Sequence, residues 1–272
     1  MVEMSTVWMR VAAVLYSIGL LHAILTVLRR QSRLFRPALA FFSVGVVLHM
    51  VSIVEETVWM RSLPLHNFFE SFSTCAFLIA LLFLYVYWRY RIESLAIFLF
   101  PLVFIMTLVG SMGKPVGSWS SPALRDGLLL VHISLVLLGY AALLVMAASS
   151  VLYLLHEQLL KSKRRSLSFQ GLPPLGTLDD LISRAMAIAF AFITLAVIVG
   201  AIWGFVEWGT RWIREPKIAI SLVTWGFYLA MVCMRSIAGW RGRKAALMAI
   251  AVVFCSALTW AAHVGLRNVL IR

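Results

Sequence analysis

Long apolar runs alternate with short polar connectors along the whole chain. Eight runs come near or exceed the roughly 20 apolar residues that cross the hydrocarbon layer of a bilayer. They cover about 6–28, 37–58, 68–88, 94–112, 127–155, 180–205, 216–234 and 245–267. The pattern predicts an all-α, polytopic membrane protein of about eight transmembrane helices, forming one integral membrane domain over 1–272. No polar stretch is long enough to build a separate soluble core. The start, MVEMSTVWMR, lacks a basic leader and no small-residue cleavage site follows the first run, so that run reads as a retained helix.

Composition agrees: 62% of the residues are hydrophobic and 13% charged, outside the range of water-soluble domains. A net charge of +13 raises nucleic acid as a partner. The cations are spread over the connectors and form no single stripe, which excludes it. Their distribution orients the chain instead. Connectors 29–36, 89–93, 156–179 and 235–244 hold fourteen basic residues, and the other set with the C-terminal tail holds eight. By the positive-inside rule the first set is cytoplasmic, so both termini and the connector after residue 203 face outward. Cys75, Cys233 and Cys255 lie in separate apolar runs, with neither a disulfide framework nor a CxxC pair.

Ionisable residues inside spans are costly and mark functional candidates. His49 lies well inside the second run, with Glu55 and Glu56 near its outer end; His22 in the first run reads as a packing residue. Asn67 is placed as the N-cap of the third helix, with Glu70 closing a capping box, and His66 beside it reads as solvated. Pro101 should bend the fourth helix. Connector 112–126 is rich in Gly, Ser and Pro and reads as irregular. The basic cluster Lys161, Lys163, Arg164 and Arg165 suits anionic lipid headgroups. His132, about two turns inside the fifth helix, and His263, near the outward end of the eighth, fall at similar depths. Two such imidazoles suit either the axial positions of a haem iron or hydrogen bonds to water and backbone at the interface.

The most unusual connector is WGFVEWGTRWIREPKIAISLVTW, from Trp203 to Trp225, whose outer loop covers 203–217. Trp208, Trp212 and Trp225 offer broad apolar faces, and Arg211, Arg214, Glu215 and Lys217 surround them with charge. One reading is the ordinary aromatic belt of a membrane protein. The other is an aromatic seat for a large planar ligand with acidic groups at its rim.

The order of these features resembles the cytochrome c assembly proteins of the CcsA, ResC and CcmC type, over about residues 49–250. Pro64-Leu65-His66-Asn67-Phe68-Phe69-Glu70-Ser71 resembles the family's P-L-x-N-x-Y-E-S, and Val131-His132 with Gly139-Tyr140 resembles the helix bearing an outward haem-ligand histidine. Leu178-Asp179-Asp180-Leu181 and Gly239-Trp240-Arg241-Gly242 resemble flanking stretches. Trp208, Gly209, Trp212, Pro216, Lys217, Leu222, Thr224 and Trp225 match the tryptophan signature, W-G-x-x-W-x-W-D-P-K-E-x-W followed by L-I-T-W. Glu215 stands for one acid of that signature and Ile218 for the other, while Arg214 and Ile220 replace tryptophans. Cys233 occupies the position of the family's intramembrane haem histidine, and Ile271 that of its second outward one.

The resemblance implies a haem-handling protein of cytochrome c biogenesis in a bacterial inner membrane, presenting non-covalent, b-type haem at the outer face for delivery to apocytochrome c. Its implied axial candidates are His132, His263 and His49, with Trp208, Trp212, Trp225, Arg211, Arg214, Glu215 and Lys217 as the pocket. Other assembly proteins, or a larger membrane complex, would be its partners, with lipid around it. The departures at 214, 220, 233 and 271 leave an alternative open: a non-catalytic structural subunit that kept the fold and lost the haem sites. Catalysis by this chain is not implied. Transport has little support, since neither an internal repeat nor a pair of broken helices is present. Phosphate loops and zinc-protease motifs are absent.

Overall fold

The computed structural model describes residues 2–29, 31–65, 67–113, 123–162, 172–214 and 216–270. The chain is an all-α polytopic membrane protein. Its helices are α1 (Val2–Arg29), α2 (Phe35–Met60), α3 (Phe68–Tyr90), α4 (Ala96–Gly110), α5 (Ala123–Lys161), α6 (Leu175–Trp208), α7 (Pro216–Ser236) and α8 (Arg243–Leu270). Among the described residues, seven helices are long and apolar enough to cross a membrane. The helices run beyond the apolar stretches because polar residues cap and extend them; α5 gains six residues past 155 and α6 begins five before 180.

Two compact units divide the chain: residues 1–120 with 155–177, and residues 121–154 with 178–272. In the first unit α1 packs along α2 and against α4, and α3 packs on α4. One aromatic from each helix meets at the centre. Phe42 of α2 stacks on Phe100 of α4 at 3.9 Å, Phe83 of α3 sets its edge on both, and Tyr16 of α1 lies 5.0 Å from Phe42. All four are fully buried. Lipid tails are as apolar as these rings, so close packing and ring geometry, not escape from water, hold the cluster. Gly45 makes the α1–α2 approach possible, since a Cβ there would meet the Tyr16 ring at 2.9 Å.

The turns of this unit follow local chemistry. Arg61 and Arg91 end α2 and α3 in the left-handed region, and the Arg91 N–H donates to Tyr87 O at 2.8 Å. Asn67 caps α3 as the sequence predicts: its Oδ1 accepts the Glu70 N–H at 2.8 Å, and its Nδ2 donates to Glu70 Oε1 at 2.6 Å. Pro101 lies inside α4, which continues on both sides of it. His66 and most of connector 112–126 lie outside the described residues, as does most of the basic cluster 161–165.

In the second unit α7 and α8 are joined by hydroxyls: Thr224 with Thr259, and Tyr228 with Ser256 at 2.5 Å. Such side chains bridge helices where hydrocarbon offers no other partner. At the other end of these helices Asp179, near the start of α6, collects three donors. Arg235 of α7 supplies Nη1 to Oδ1 at 3.2 Å and Nη2 to Oδ2 at 2.8 Å, and the Gly242 N–H adds a bond to Oδ1 at 2.9 Å. Gly242 has a positive φ, and a Cβ on it would strike the Tyr153 hydroxyl of α5 at 2.7 Å. The two stretches set out from the sequence, 178–181 and 239–242, thus meet in one latch.

Candidate functional site

The candidate residues of the second unit are placed by the pairing of α5 with α6. His132 of α5 meets Gly200 of α6, and Gly139 of α5 meets Ile193 of α6. Both pairs are seven residues, or two turns, apart on both helices, the repeat of an antiparallel seam. In each pair a glycine makes room for a side chain of the other helix. A Cβ on Gly200 would stand 2.7 Å from Nδ1 and Cε1 of the His132 ring, so the imidazole lies directly on the α6 backbone.

There Nδ1 of His132 is 2.8 Å from the carbonyl oxygen of Ala196. A carbonyl can only accept, so Nδ1 carries a proton and donates it to Ala196. This is how metal-binding histidines are commonly prepared: a backbone acceptor fixes tautomer and ring plane and makes the other nitrogen a better donor to a metal. The ring is half-buried.

Depth corrects two expectations. The resemblance implies that His132 and the tryptophan loop hold one ligand at the outer face, but α6 continues to Trp208, eight residues beyond Gly200, or about 12 Å along the axis. The imidazole therefore lies two turns below Trp208. Among the indoles whose side chains are described, Trp203 lies one turn above Gly200 and edge-to-face with Trp208 at 5.2 Å. The sequence pattern shows Trp203 but does not separate it from its neighbours.

Trp225 was placed with Trp208 and Trp212 on one surface. It lies in the third turn of α7, where its Nε1 donates to Thr194 Oγ1 at 3.0 Å and its ring stacks on Phe190. Thr194 is fourteen residues before Trp208, about 21 Å along α6, so the three indoles do not form one plane. Trp208 and Trp212 are half-buried at the turn between α6 and α7. That turn reverses at Gly209, in the left-handed region at φ 58°, and continues as a 3₁₀ segment, Gly209–Arg214, before Pro216 opens α7. Arg211 is exposed there. Glu215, and the side chains of Arg214, Lys217 and His263, lie outside the described residues.

Backbone register still gives residue 263 a level. Thr224–Thr259 and Tyr228–Ser256 pair α7 with α8, so position 263 falls opposite the level of Ile220. Gly204–Ile218 and Thr194–Trp225 pair α6 with α7, which carries that level to the neighbourhood of Gly200. Positions 132 and 263 thus share a depth, as the sequence suggests, although deeper than the loop.

His49 belongs to the first unit and is fully buried. Its Nδ1 faces the Tyr16 hydroxyl at 3.3 Å and its Nε2 faces Ser73 Oγ at 2.8 Å. With both nitrogens engaged, an iron could bind only by displacing one of these partners. Cys233 is a free, half-buried thiol on α7. No group of three or more His, Cys, Asp or Glu side chains converges as a metal site among the described residues.

Residues 4–262 fit the family described as "Cytochrome C assembly protein". A cytochrome c biogenesis protein CcsA of Prochlorococcus marinus subsp. pastoris is 35% identical over 152 residues, covering 49% of this chain and 48% of that protein. CcsA of a second Prochlorococcus marinus strain is 30% identical over 219 residues, covering 71% of each chain, and CcsA of Heterosigma akashiwo is 25% identical over 239 residues, covering 75% and 73%. The chain spans about half the length of the first of these relatives. Among solved structures, "Cytochrome c Heme Lyase CcmF" shares the fold with a TM-score of 0.67 at 16% identity, over 93% of this chain and 46% of that one. With a match that runs over nearly all of its helices, the chain belongs to the cytochrome c assembly protein family.

Proposed function

We propose that this protein handles haem in cytochrome c biogenesis, with His132 as an axial ligand on the α5–α6 seam. The observation that supports the reading is the 2.8 Å contact of Nδ1 with the Ala196 carbonyl over Gly200, which orients the ring as backbone acceptors orient metal-binding imidazoles. The residues fit the group: an oriented imidazole, a second histidine position at the same level, and indoles one to two turns above. When bound, haem would supply an iron whose potential is set by axial ligation. His263 would supply the second imidazole, Trp203 and Trp208 would lie on the side of the outer turn, and Arg211, Arg214 and Lys217 would be the cations for the haem carboxylates. The b-type assignment, delivery to apocytochrome c and association with other assembly proteins belong to the same proposal. So do the inner-membrane location and the outward placement of the loop and both termini.

The test is an absorption spectrum of the detergent-purified protein, as isolated and after haem addition, for the native chain and His132→Ala. A Soret band that shifts or disappears in the variant is the expected result. No haem uptake by the native protein would refute the reading. One set of observations favours the alternative, a structural subunit: Trp225 is committed to Thr194, both nitrogens of His49 are engaged, and Cys233 stands where the family's intramembrane histidine is implied. On that reading His132→Ala leaves cytochrome c assembly intact.

A further inference from the structure

The first unit carries a basic surface that the haem reading leaves unused. Two turns meet at one end of its four helices. One joins α1 to α2 and holds Arg29, Arg33 and Arg36; the other joins α3 to α4 and holds Arg89 and Arg91. The turns are neighbours, because the Phe35 ring at the start of α2 lies 5.5 Å from the Tyr87 ring in the last turn of α3. All five arginines are exposed. Glu93 is the single acid of either turn, and it is half-buried. Among the described residues no carboxylate pairs with any of the five. Toward the opposite end of the same helices the signs are mixed, with Arg10, Arg61, Glu55, Glu56 and Glu70.

Three features distinguish this surface from a merely solvated one. Aromatic rings hold its cations: the Arg91 guanidinium lies 5.5 Å from the Tyr87 ring centre and that of Arg89 lies 5.2 Å from Tyr90. Tyr87 thereby links Arg91 to Phe35 and the α1–α2 turn. Large apolar side chains stand exposed among the charges, Trp88 at 70% and Leu28 at 74%, with Tyr85 a turn deeper. Trp and Tyr gather where hydrocarbon meets headgroups, so this collar sets the guanidiniums at the level of lipid phosphates. Lastly, every basic residue of connectors 29–36 and 89–93 is an arginine, whereas connectors 156–179 and 235–244 also use lysine. A guanidinium offers a planar fork that grips phosphate at two points, where an ammonium is only a point charge. Self-repulsion within such a cluster is relieved by an anion shared between the turns.

We propose that the α1–α2 and α3–α4 turns together bind the headgroup of an anionic phospholipid of the phosphatidylglycerol type. Arg33, Arg36, Arg89 and Arg91 meet its phosphate, Trp88 lies along the upper part of its acyl chains, and the lipid ties the two turns together. The assignment rests on the membrane-spanning fold and is independent of haem.

The test uses the full chain in phosphatidylcholine nanodiscs doped with doxyl-labelled phosphatidylglycerol or doxyl-labelled phosphatidylcholine. In each background the Trp88 signal is the fluorescence lost on Trp88→Phe. A basic residue near a bilayer strengthens anionic-lipid binding by about fivefold, so phosphatidylglycerol should quench Trp88 at a mole fraction at least about tenfold lower. Arg89→Gln/Arg91→Gln should cut that preference to about twofold or less. Arg33→Gln/Arg36→Gln should do the same, and it replaces the first pair if that variant does not fold. Arg241→Gln/Arg243→Gln removes equal charge from exposed positions of the second unit and should leave the preference at Trp88 unchanged. Inorganic phosphate, compared with chloride at matched ionic strength, should not relieve the quenching. The proposal is overturned if the native chain shows no preference, or if the arginine variants of the two turns keep it. Equal loss in Arg241→Gln/Arg243→Gln would reveal only the field of a basic protein, and displacement by phosphate would reveal a free-anion site; either result also overturns it.

Discussion

Gly200→Ala is the sharpest probe of the α5–α6 seam. The added methyl would lie 2.7 Å from two atoms of the His132 ring, well inside van der Waals contact. The ring cannot yield by bending a flexible tip, because it is planar and held at Nδ1 by the Ala196 carbonyl. Relief requires the imidazole to rotate away or α5 to move. Overpacking of this kind costs about 1–3 kcal/mol, and loss of the hydrogen bond adds about 0.5–1.5 kcal/mol. Two further glycines calibrate the result. A Cβ on Gly139 meets Ile193 Cδ1 at 2.6 Å, the far end of a flexible side chain, so Gly139→Ala should cost less. Gly127, inside α5, has open space around its Cβ position, and Gly127→Ala should be neutral or stabilising by up to about 1 kcal/mol through helix propensity. Thermal unfolding of the purified proteins should therefore rank Gly127→Ala above Gly139→Ala above Gly200→Ala. Only the last should alter haem uptake. The double variant Gly200→Ala/His132→Ala should recover much of the loss in stability, because removing the ring removes the clash. Simple additivity in that cycle would refute the proposed packing.

Two other outcomes follow from the packing and the latch. Phe42→Ala removes the ring shared by Phe100, Phe83 and Tyr16 and should lower stability by about 3–5 kcal/mol in denaturant or thermal unfolding, whereas Phe68→Ala, at an exposed helix start, should cost far less. Arg235→Ala strips Asp179 of a two-point partner in a largely buried setting and should destabilise by roughly 2–4 kcal/mol. Arg235→Lys should recover only part, since an ammonium cannot reproduce the fork; limited proteolysis of the α7–α8 connector provides a second readout.

What the sequence revealed and what it concealed divide along a physical line. Helices are legible because a bilayer demands some 20 apolar residues per crossing and the connectors must be polar. The Asn67 cap is legible because it depends on residues three apart. The level of His132 is not, because it depends on where α5 and α6 meet. That register is set by Gly200 and Gly139, which carry no hydrophobic signal and differ from other glycines only in what lies opposite. Trp225 was misplaced for the same reason. Its tryptophan identity suggests an interface, but nine residues of α7 and a hydroxyl at Thr194 draw it inward. Asp179 belongs between the two cases. Its spacing from Arg235 and Gly242 is far too great to read as a pair, yet Asp179 and Gly242 lie in stretches that the family resemblance had already set apart. Motif similarity therefore picked out a structural latch as readily as a ligand site. Only the orientation of a histidine, fixed by a carbonyl on another helix, separates the two at residue 132.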